Sequence, residues 1–188
     1  MFATSLGDDG AELRPLEPWQ ADEFFAHIER GRDFIGRHVG LPDRAKDAAS
    51  AREFLQSYAD KAAADAGRIY GIWMDGTLVG GVLFRTMDPA GGTCEAGCWL
   101  EPSAVGRGLV TRAVTVIIDW ALGARGLHRV EWRVSSANEP SINVARRLGM
   151  THEGTHREDF LHQGVWQSTE VWSVLASEWH KHRASSGS

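Results

Sequence analysis

The chain has 188 residues, and its 20 basic and 25 acidic side chains give a formal net charge of −5. This length predicts one domain with a full-sized core, and an apolar fraction of 43% is ordinary for a globular protein. The acidic balance argues against a general nucleic-acid binder, which needs a basic surface. No apolar run approaches the ~18 residues of a membrane-spanning helix, so we expect no membrane partner.

The chain ends and the cysteines give simple expectations. The stretch "MFATSLGDDGAEL" lacks the basic and apolar regions of a signal peptide, so we expect a cytoplasmic protein. Cys94 and Cys98 lie four apart in one predicted strand, a spacing that suits neither a disulfide nor a zinc site. We therefore expect two free thiols. Residues 1–10 and the polar tail 180–188 are predicted to be flexible.

The first predicted elements are a strand and a helix. The strand is "ELRPL". The helix begins near Pro18, and its apolar stripe is expected to end at Gly31. The sequence that follows, "GRHVGLPDRAKDAA", is typical of a loop.

A second helix is predicted from a capping box at Ser50 and Glu53 to a stop at Gly67. Beyond it the hydrophobic period changes to two. "RIYGIWM" and "LVGGVLF" flank Asp75-Gly76, a strong signal for a two-residue hairpin. "TCEAGCWL" is predicted to be a third strand of this group.

Helices and strands alternate in the second half. Apolar residues at 110, 113, 114, 117, 118 and 121 predict an amphipathic helix that ends at Gly123 or Gly126. The strand "HRVEWRV", the short helix "SINVARRLGM" and two long strands follow, the last two joined around Gln163-Gly164. The predicted order is β-α-α-β-β-β-α-β-α-β-β. This is an α/β (α+β) domain over residues 11–179, with helices on the faces of its central sheet.

A glycine turn joins the strand "CWL" to the amphipathic helix. Gly106 and Gly108 would let backbone amides at a helix N-terminus approach an anion, and Arg107 and Arg112 could add charge-assisted bonds. A plain turn is the alternative. The loop lacks the spacing and the lysine of a Walker loop, and it lacks the third glycine of a dinucleotide fingerprint.

Several motifs in this order resemble those of the GNAT superfamily of acyl-CoA-dependent N-acetyltransferases, of the ribosomal-protein (RimJ/RimL) type. They are "EAGCWL", the glycine turn, "NEPSINVARRLGMTHEGTHRED" and "GVWQSTEVWSVLASEW". The resemblance covers roughly residues 11–179 and implies a mixed, mostly antiparallel central sheet flanked by helices. Val105, Val110 and Ser168 depart from the residues usual at their motif positions, Gln or Arg, Gly or Ala, and Asp.

The resemblance implies that the turn binds the pyrophosphate of acetyl-CoA, or of another acyl-CoA such as succinyl-CoA, with no metal. A backbone amide of the preceding strand would polarise the thioester carbonyl. Further contacts are implied on the short helix. The implied cofactor-binding residues are Cys98, Trp99, Leu100, Val105, Gly106, Arg107, Gly108, Leu109, Val110, Thr111, Asn138, Asn143 and Arg146.

Two catalytic residues are proposed for transfer of the acyl group to a primary amine. Glu95 is an acidic residue in an apolar strand and is the candidate general base; a carboxylate paired with an arginine is the alternative. The acid that is usual in the superfamily, a tyrosine, is replaced by Ala145, so Ser141 is the candidate acid, and a helix cap is its alternative role. The fallback bases are Glu153, Glu158 and Asp159.

The partner expected is an amine acceptor: a protein N-terminus, a lysine or a small-molecule amine. A locally basic loop with Arg32, Arg37, His38 and Arg44 would suit an acidic acceptor or a dicarboxylic acyl group, or it is simply solvated. A homodimer through the long C-terminal strands is a further expectation. The rival hypothesis is a non-catalytic acyl-CoA-binding or regulatory module, because a fold does not determine an activity.

Overall fold

A computed structural model describes residues 3–7 and 10–186, with the side chain of residue 186 left out. Within this part of the chain there are eight strands and six α-helices. The strands are β1 (Thr4–Ser5), β2 (Ala11–Pro15), β3 (Arg68–Met74), β4 (Thr77–Asp88), β5 (Thr93–Leu100), β6 (Arg129–Ser135), β7 (Thr151–His162) and β8 (Val165–Leu175). The helices are α1 (Ala21–Gly36), α2 (Leu41–Arg44), α3 (Ala48–Ala63), α4 (Leu109–Asp119), α5 (Glu139–Arg147) and α6 (Ala176–Ser186).

All eight strands form one sheet in the order β1-β2-β3-β4-β5-β6-β8-β7. Every neighbouring pair is antiparallel except β5 and β6, which run parallel because α4 connects them. The mixed, mostly antiparallel sheet predicted from the sequence is therefore confirmed. No helix among the described residues is long and apolar enough to cross a membrane.

Helices cover both faces of the sheet and divide the core into two clusters. On one face α1 and α3 pack against strand residues that include Leu83 and Trp99. On the other face α4 and α5 pack against Ala96, Val130 and Trp132. The apolar stripe predicted for α4 lies in this second cluster, where Ala113, Val114, Ile117, Ile118 and Ala121 are fully buried. Strand β5 contributes alternate side chains to both clusters, so it lies at the centre of the domain.

Helix α1 does not end at Gly31, as the sequence predicts, but continues to Gly36. A Cβ built on Gly31 would lie 3.3 Å from Cβ of Glu101 and 2.8 Å from Cδ1 of Ile35. This glycine therefore allows a close approach of the helix to the end of β5, and it is not a stop signal.

The predicted capping box at the start of α3 is shifted by three residues. Asp47 is the N-cap, and its Oδ1 accepts a hydrogen bond from the Ser50 amide at 2.7 Å. Ser50 returns the contact, since its Oγ accepts from the Asp47 amide at 3.1 Å. The predicted loop before α3 also contains the short helix α2, and α3 ends at Ala63 rather than at Gly67.

Both segments predicted to be flexible contain regular structure in their described parts. Strand β1 pairs with β2 through Thr4 and Leu13, and α6 extends from the end of β8 through residue 186. The hairpin at Asp75-Gly76 is confirmed: both residues have positive φ, 48° and 76°, and they join β3 to β4.

Candidate functional site

Strands β5 and β6 pair over only part of their length. Their parallel register runs from Thr93–Arg129 to Ala96–Trp132. Beyond this pair, β5 continues to Leu100 and β6 to Ser135 without pairing to each other. We call the space between these two ends the gap. Backbone groups that face the gap have no ladder partner across it and can bind a ligand instead.

The ladder to β4 determines which amides of β5 face the gap. The Glu101 amide donates to the Val79 carbonyl at 2.9 Å, and Leu100 is opposite Gly80. Because hydrogen-bonded and non-bonded pairs alternate in an antiparallel ladder, the amide of Trp99 also points to β4. The amides of Cys98 and Leu100 point the other way, into the gap. Two of the three amides predicted as candidates for polarising a thioester are therefore free to do so.

The glycine turn lies between β5 and α4. Gly106 and Gly108 have φ of 85° and 70°, in the left-handed region, and Gly108 is the N-cap of α4. The first helical hydrogen bond runs from the Arg112 amide to the Gly108 carbonyl at 3.1 Å. The amides of residues 109–111 precede this bond and have no acceptor within the helix. Together with the positive end of the helix dipole, these amides are the backbone arrangement that suits an anion.

Side chains of the turn contribute less to this site than the sequence suggests. Leu109 is buried in the core, while Val105 is 54% exposed. Arg112 donates from Nη1 to the Leu6 carbonyl at 2.8 Å and from Nη2 to the Arg107 carbonyl at 3.2 Å. Arg112 therefore supports the turn from behind. Arg107 is exposed, with its Nη1 3.6 Å from Sδ of Met74.

Glu95 lies just before the gap, on the α1 and α3 face of the sheet that its strand neighbour Trp99 also faces. Its Oε1 accepts a hydrogen bond from Nε of Arg85 at 2.8 Å. The arginine pairing raised as the alternative from the sequence is therefore present. Oε2 takes no hydrogen bond from the described part of the chain, so one carboxylate oxygen is available. The Glu95 side chain is 17% exposed.

Ser141 lies on the opposite face, in the first turn of α5. Its alternative role as the cap of this helix is taken by Asn138, which is the N-cap and whose Oδ1 accepts from the Ser141 amide at 3.3 Å. The Ser141 hydroxyl oxygen instead accepts a hydrogen bond from Nε1 of Trp132 at 3.1 Å. Trp132 is the last residue of β6 that pairs with β5. This bond leaves the hydroxyl hydrogen free to be donated elsewhere.

Asn143 and Arg146 lie farther along α5 and contact each other. Nη1 of Arg146 donates to Oδ1 of Asn143 at 3.1 Å and to Oε1 of Glu139 at 2.7 Å. The guanidinium also lies 5.7 Å from the Trp172 ring centroid. These contacts place both side chains in a surface network on α5.

Two of the three fallback carboxylates, Glu153 and Asp159, are held by hydrogen bonds or ion pairs. Glu153 accepts from Nη1 of Arg129 at 2.7 Å and from Ser173 at 2.8 Å, and these bonds lower the pKa of Glu153 to about 2. The pKa of Asp159 is also lowered: burial opposes the shift, and hydrogen bonds from Thr169 outweigh it. Carboxyls with such low pKa values are poor proton acceptors near neutral pH. Glu158 is exposed, and its amide donates to Oγ of Ser168 at 3.0 Å.

The three histidines that are close in sequence have separate partners. His152 packs on the Trp172 ring with 5.0 Å between centroids. Nδ1 of His156 is 3.7 Å from Asp159. Nε2 of His162 lies 3.0 Å from the carbonyl of Gly36 at the end of α1. The tip of the β7–β8 hairpin therefore contacts α1.

The predicted basic loop is mostly part of α1 and α2, and one of its arginines, Arg32, makes internal contacts. Arg32 pairs with Glu29 and donates to the carbonyls of Pro42 and Ala45, both at 3.1 Å, which ties α1 to α2. A groove of about 500 Å³ opens beside it. Its walls include Arg30, Asp33, Phe34, Arg37 and Pro102. Pro102 is two residues beyond the end of β5, so the groove lies near the end of β5 that borders the gap.

A buried polar chain at the end of β5 was not predicted. Nε1 of Trp99 donates to Nε2 of His27 at 3.0 Å, and Nδ1 of His27 lies 3.0 Å from Oε2 of Glu101. Arg30 and Ser103 complete the chain by donating to the same carboxylate. His27 and Glu101 are 74 positions apart. The sequence offers only one signal, a glutamate at the end of an apolar strand.

The chain matches known proteins over most of its length. The family model described as "Acetyltransferase (GNAT) domain" matches residues 11–151. "Probable N-acetyltransferase YjcK" of Bacillus subtilis (strain 168) is 30% identical over 169 residues, 87% of this chain and 92% of that protein. "Ribosomal-protein-serine acetyltransferase" of Escherichia coli (strain K12) is 21% identical, over 82% and 86% of the two chains. A RimL ribosomal L7/L12 alpha-N-protein acetyltransferase in complex with coenzyme A superposes with a TM-score of 0.87 at 16% identity, over 92% and 97%.

Proposed function

Since the chain belongs to the GNAT family of acyl-CoA-dependent N-acetyltransferases, we propose that it moves an acetyl group from acetyl-CoA to the primary amine of a protein by direct attack within the gap between β5 and β6. The observation that carries the mechanism is the arrangement around the gap. The anion site of the turn and Ser141 belong to the α4 and α5 face, and Glu95 belongs to the α1 and α3 face. The thioester and the amine would thus approach from opposite faces.

In this mechanism the amides of residues 109–111 hold the pyrophosphate, and the amides of Cys98 and Leu100 donate to the carbonyl oxygen of the thioester. The amine nitrogen bonds to the carbonyl carbon, and negative charge develops on that oxygen. Preorganised donors aimed at such an oxygen are commonly worth about 2.7–4 kcal/mol. When the carbon–sulfur bond breaks, the oxygen regains its double bond and the sulfur leaves as a thiolate.

One side chain would take up a proton and another would stabilise the leaving group. The free oxygen of Glu95 accepts the proton that the amine nitrogen loses, directly or through one water. The Ser141 hydroxyl keeps its proton and donates a hydrogen bond to the leaving thiolate, while Nε1 of Trp132 donates to the hydroxyl oxygen. General acid–base assistance of this kind is typically worth about 10²–10⁴-fold in rate.

The proposed donor is acetyl-CoA rather than succinyl-CoA. A second carboxylate on the acyl group would need a free cation near the gap. Arg32 of the predicted basic loop is not free, because it contacts Glu29 and the carbonyls of Pro42 and Ala45. The proposed acceptor is a protein amine, in line with the ribosomal-protein acetyltransferases among the relatives. The free thiols Cys94 and Cys98 fit a reducing compartment such as the cytoplasm.

Release of free thiol from acetyl-CoA, measured with a panel of peptides and small amines, tests this function. We expect turnover with peptide N-termini. With the best acceptor, Glu95→Gln should lower kcat at pH 7 about 100-fold or more, and leave the Kd of acetyl-CoA near its wild-type value. The loss should shrink at high pH, where the acceptor is already neutral.

The matched control is Glu131→Gln, because Glu131 is the neighbour of Glu95 across the parallel ladder and is bonded to Arg129. It removes a carboxylate of the same kind from the next strand, and we expect kcat to change less than about threefold. Wild-type turnover by Glu95→Gln at pH 7 would remove Glu95 from the mechanism. Thiol release that no amine raises above the acceptor-free background would contradict acyl transfer itself.

A further inference from the structure

His27 bridges two residues of the chain that flank Leu100. It lies on α1 with no exposed surface, and its ring contacts both Trp99 and Glu101 at 3.0 Å. Trp99 and Glu101 are the residues before and after Leu100, whose amide faces the gap. Both of their own amides belong to the β4 side of the strand.

The contacts of His27 determine its tautomer. The indole Nε1 of Trp99 can only donate, so Nε2 of His27 must be the acceptor and unprotonated. The proton of a neutral ring is then on Nδ1, where it is donated to the Glu101 carboxylate. Burial lowers the pKa of His27, against the opposing effect of Glu101, so the ring is neutral near pH 7. A single imidazole thus acts as a two-ended tie between α1 and β5.

Glu101 is itself fixed by two further donors. Arg30 donates to its Oε2 at 3.1 Å and to the Leu78 carbonyl at 2.7 Å, and Ser103 donates to its Oε1 at 2.5 Å. Charged and neutral donors therefore surround this carboxylate. Arg30 also forms part of the wall of the groove beside the gap. A continuous set of hydrogen bonds therefore connects Arg30 in the groove wall, through Glu101 and His27, to the residues that flank the Leu100 amide.

We propose that His27 is a positioning residue, which holds the Leu100 amide of β5 in the direction needed to polarise the thioester carbonyl. The structural reason is that the gap leaves this part of β5 with a ladder on one side only, and the Trp99–His27–Glu101 contacts restrain it from α1. This role rests on the proposed function, since it concerns a donor to the acyl group. His27 itself does not touch the reacting atoms.

The carbonyl stretching frequency of bound acetyl-CoA, labelled with ¹³C at the carbonyl carbon, measures this polarisation directly. We expect a downward shift of the frequency when the wild-type protein binds the labelled acetyl-CoA without an acceptor. Trp99→Phe removes the donor to His27 and leaves Glu101 paired, and His27→Gln keeps an acceptor for Trp99 but loses the ring. In both variants the frequency should return toward its solution value.

Kinetics give the second readout. Both variants should lose about 10-fold or more in kcat, while the Kd of acetyl-CoA changes less than about threefold, since the loss of a whole oxyanion donor typically costs 10²–10³-fold. The matched control is Trp179→Phe. Trp179 lies on α6 and is also buried, and its indole Nε1 donates to Oδ1 of Asp119 on α4 at 2.7 Å. It should lower stability and leave both frequency and kcat unchanged.

The outcomes separate the two proposals. A wild-type protein that leaves the carbonyl frequency at its solution value would contradict polarisation by β5, and with it the proposed mechanism. A wild-type shift that persists fully in Trp99→Phe and His27→Gln would overturn the positioning role alone. A kcat loss in Trp179→Phe as large as that in Trp99→Phe would also overturn it, because the effect would then follow from lost stability.

Discussion

The two faces of the sheet build the site with different materials. On the α4 and α5 face, the proposed anion site consists of backbone amides of the glycine turn, and Ser141 is the one side chain to which the mechanism gives a role. On the α1 face, the contacts at the gap come from side chains, namely the Glu95–Arg85 pair and the His27–Glu101 chain. A site made of backbone does not depend on the side chains of Val105 and Val110, since an amide is the same in every residue except proline. The side-chain contacts do depend on the identity of their residues.

The largest effect that would test this difference between the two faces comes from a side chain introduced at the backbone amides of the glycine turn. Gly108→Asp puts a carboxylate beside the amides of residues 109–111, and we expect the Kd of coenzyme A to rise about 10- to 100-fold, the worth of one or two charged hydrogen bonds. Calorimetry measures this, with circular dichroism to verify the fold.

Gly126→Asp is its matched control. Gly126 has φ of 65° against 70° at Gly108, and a Cβ at either position meets nothing within 4 Å. The two substitutions therefore carry the same backbone strain, and only the first adds charge at the turn. Equal affinities for coenzyme A in both variants would contradict the anion site.

A second and smaller effect, on kcat, is expected at Ser141, the side chain on the α5 side of the gap. Ser141→Ala should lower kcat about 10- to 100-fold, because the leaving sulfur loses its donor. Trp132→Phe removes only the bond that orients the hydroxyl and should cost about fivefold, the worth of one hydrogen bond of about 1 kcal/mol. Helix α5 keeps its Asn138 cap in both variants. Wild-type kcat in Ser141→Ala would mean that the thiolate leaves unaided.

The smallest effect concerns pH and stability on the α1 face. Burial lowers the pKa of His27 below its ordinary value of 6.5, so the unfolded chain binds a proton there more readily than the folded one. Stability should therefore fall as the pH drops below about 6.5. Each unit of lowering corresponds to about 1.4 kcal/mol at low pH, and each kcal/mol to about 2–4 °C in Tm.

Thermal melts at pH 7.5 and 5.5 measure this loss. In His27→Gln the difference in Tm between the two pH values should be smaller than in the wild type. His180→Gln, at an exposed histidine on α6, should leave the difference unchanged. The half-buried His38 acts in the same direction as His27, because partial burial lowers its pKa too. An unchanged pH difference in His27→Gln would show that the ring is not held neutral.

The difference between backbone sites and side-chain contacts also explains what the sequence could predict. The glycine turn and the Asp75-Gly76 hairpin were predicted correctly because local backbone geometry selects their residues. Gly31 misled the prediction, since its role is a close contact with Glu101, 70 positions away. The contacts of His27 with Trp99 and Glu101 could not be predicted for the same reason, because they join residues that are distant in the sequence. Periodicity records which face of a strand is buried, and it carries no information about which polar groups meet there.

At Ser141 the sequence offered two roles, a catalytic acid and a helix cap, and the structure assigns the cap to another residue. A serine three residues after an asparagine at a helix start satisfies two capping patterns, and only the backbone angles decide between them. In the structure Asn138 caps the helix, and the Ser141 hydroxyl accepts a hydrogen bond from Nε1 of Trp132. Such choices depend on the tertiary contact with β6, which no local pattern contains.

The support of the turn by Arg112 has a practical consequence. Its guanidinium binds the carbonyl of Leu6, the residue after strand β1, so the segment that leads into the domain also supports the glycine turn. An affinity tag fused ahead of β1 would lie only a few residues from this contact. For a quantitative comparison of coenzyme A affinities, a tag attached after α6 is therefore the better choice.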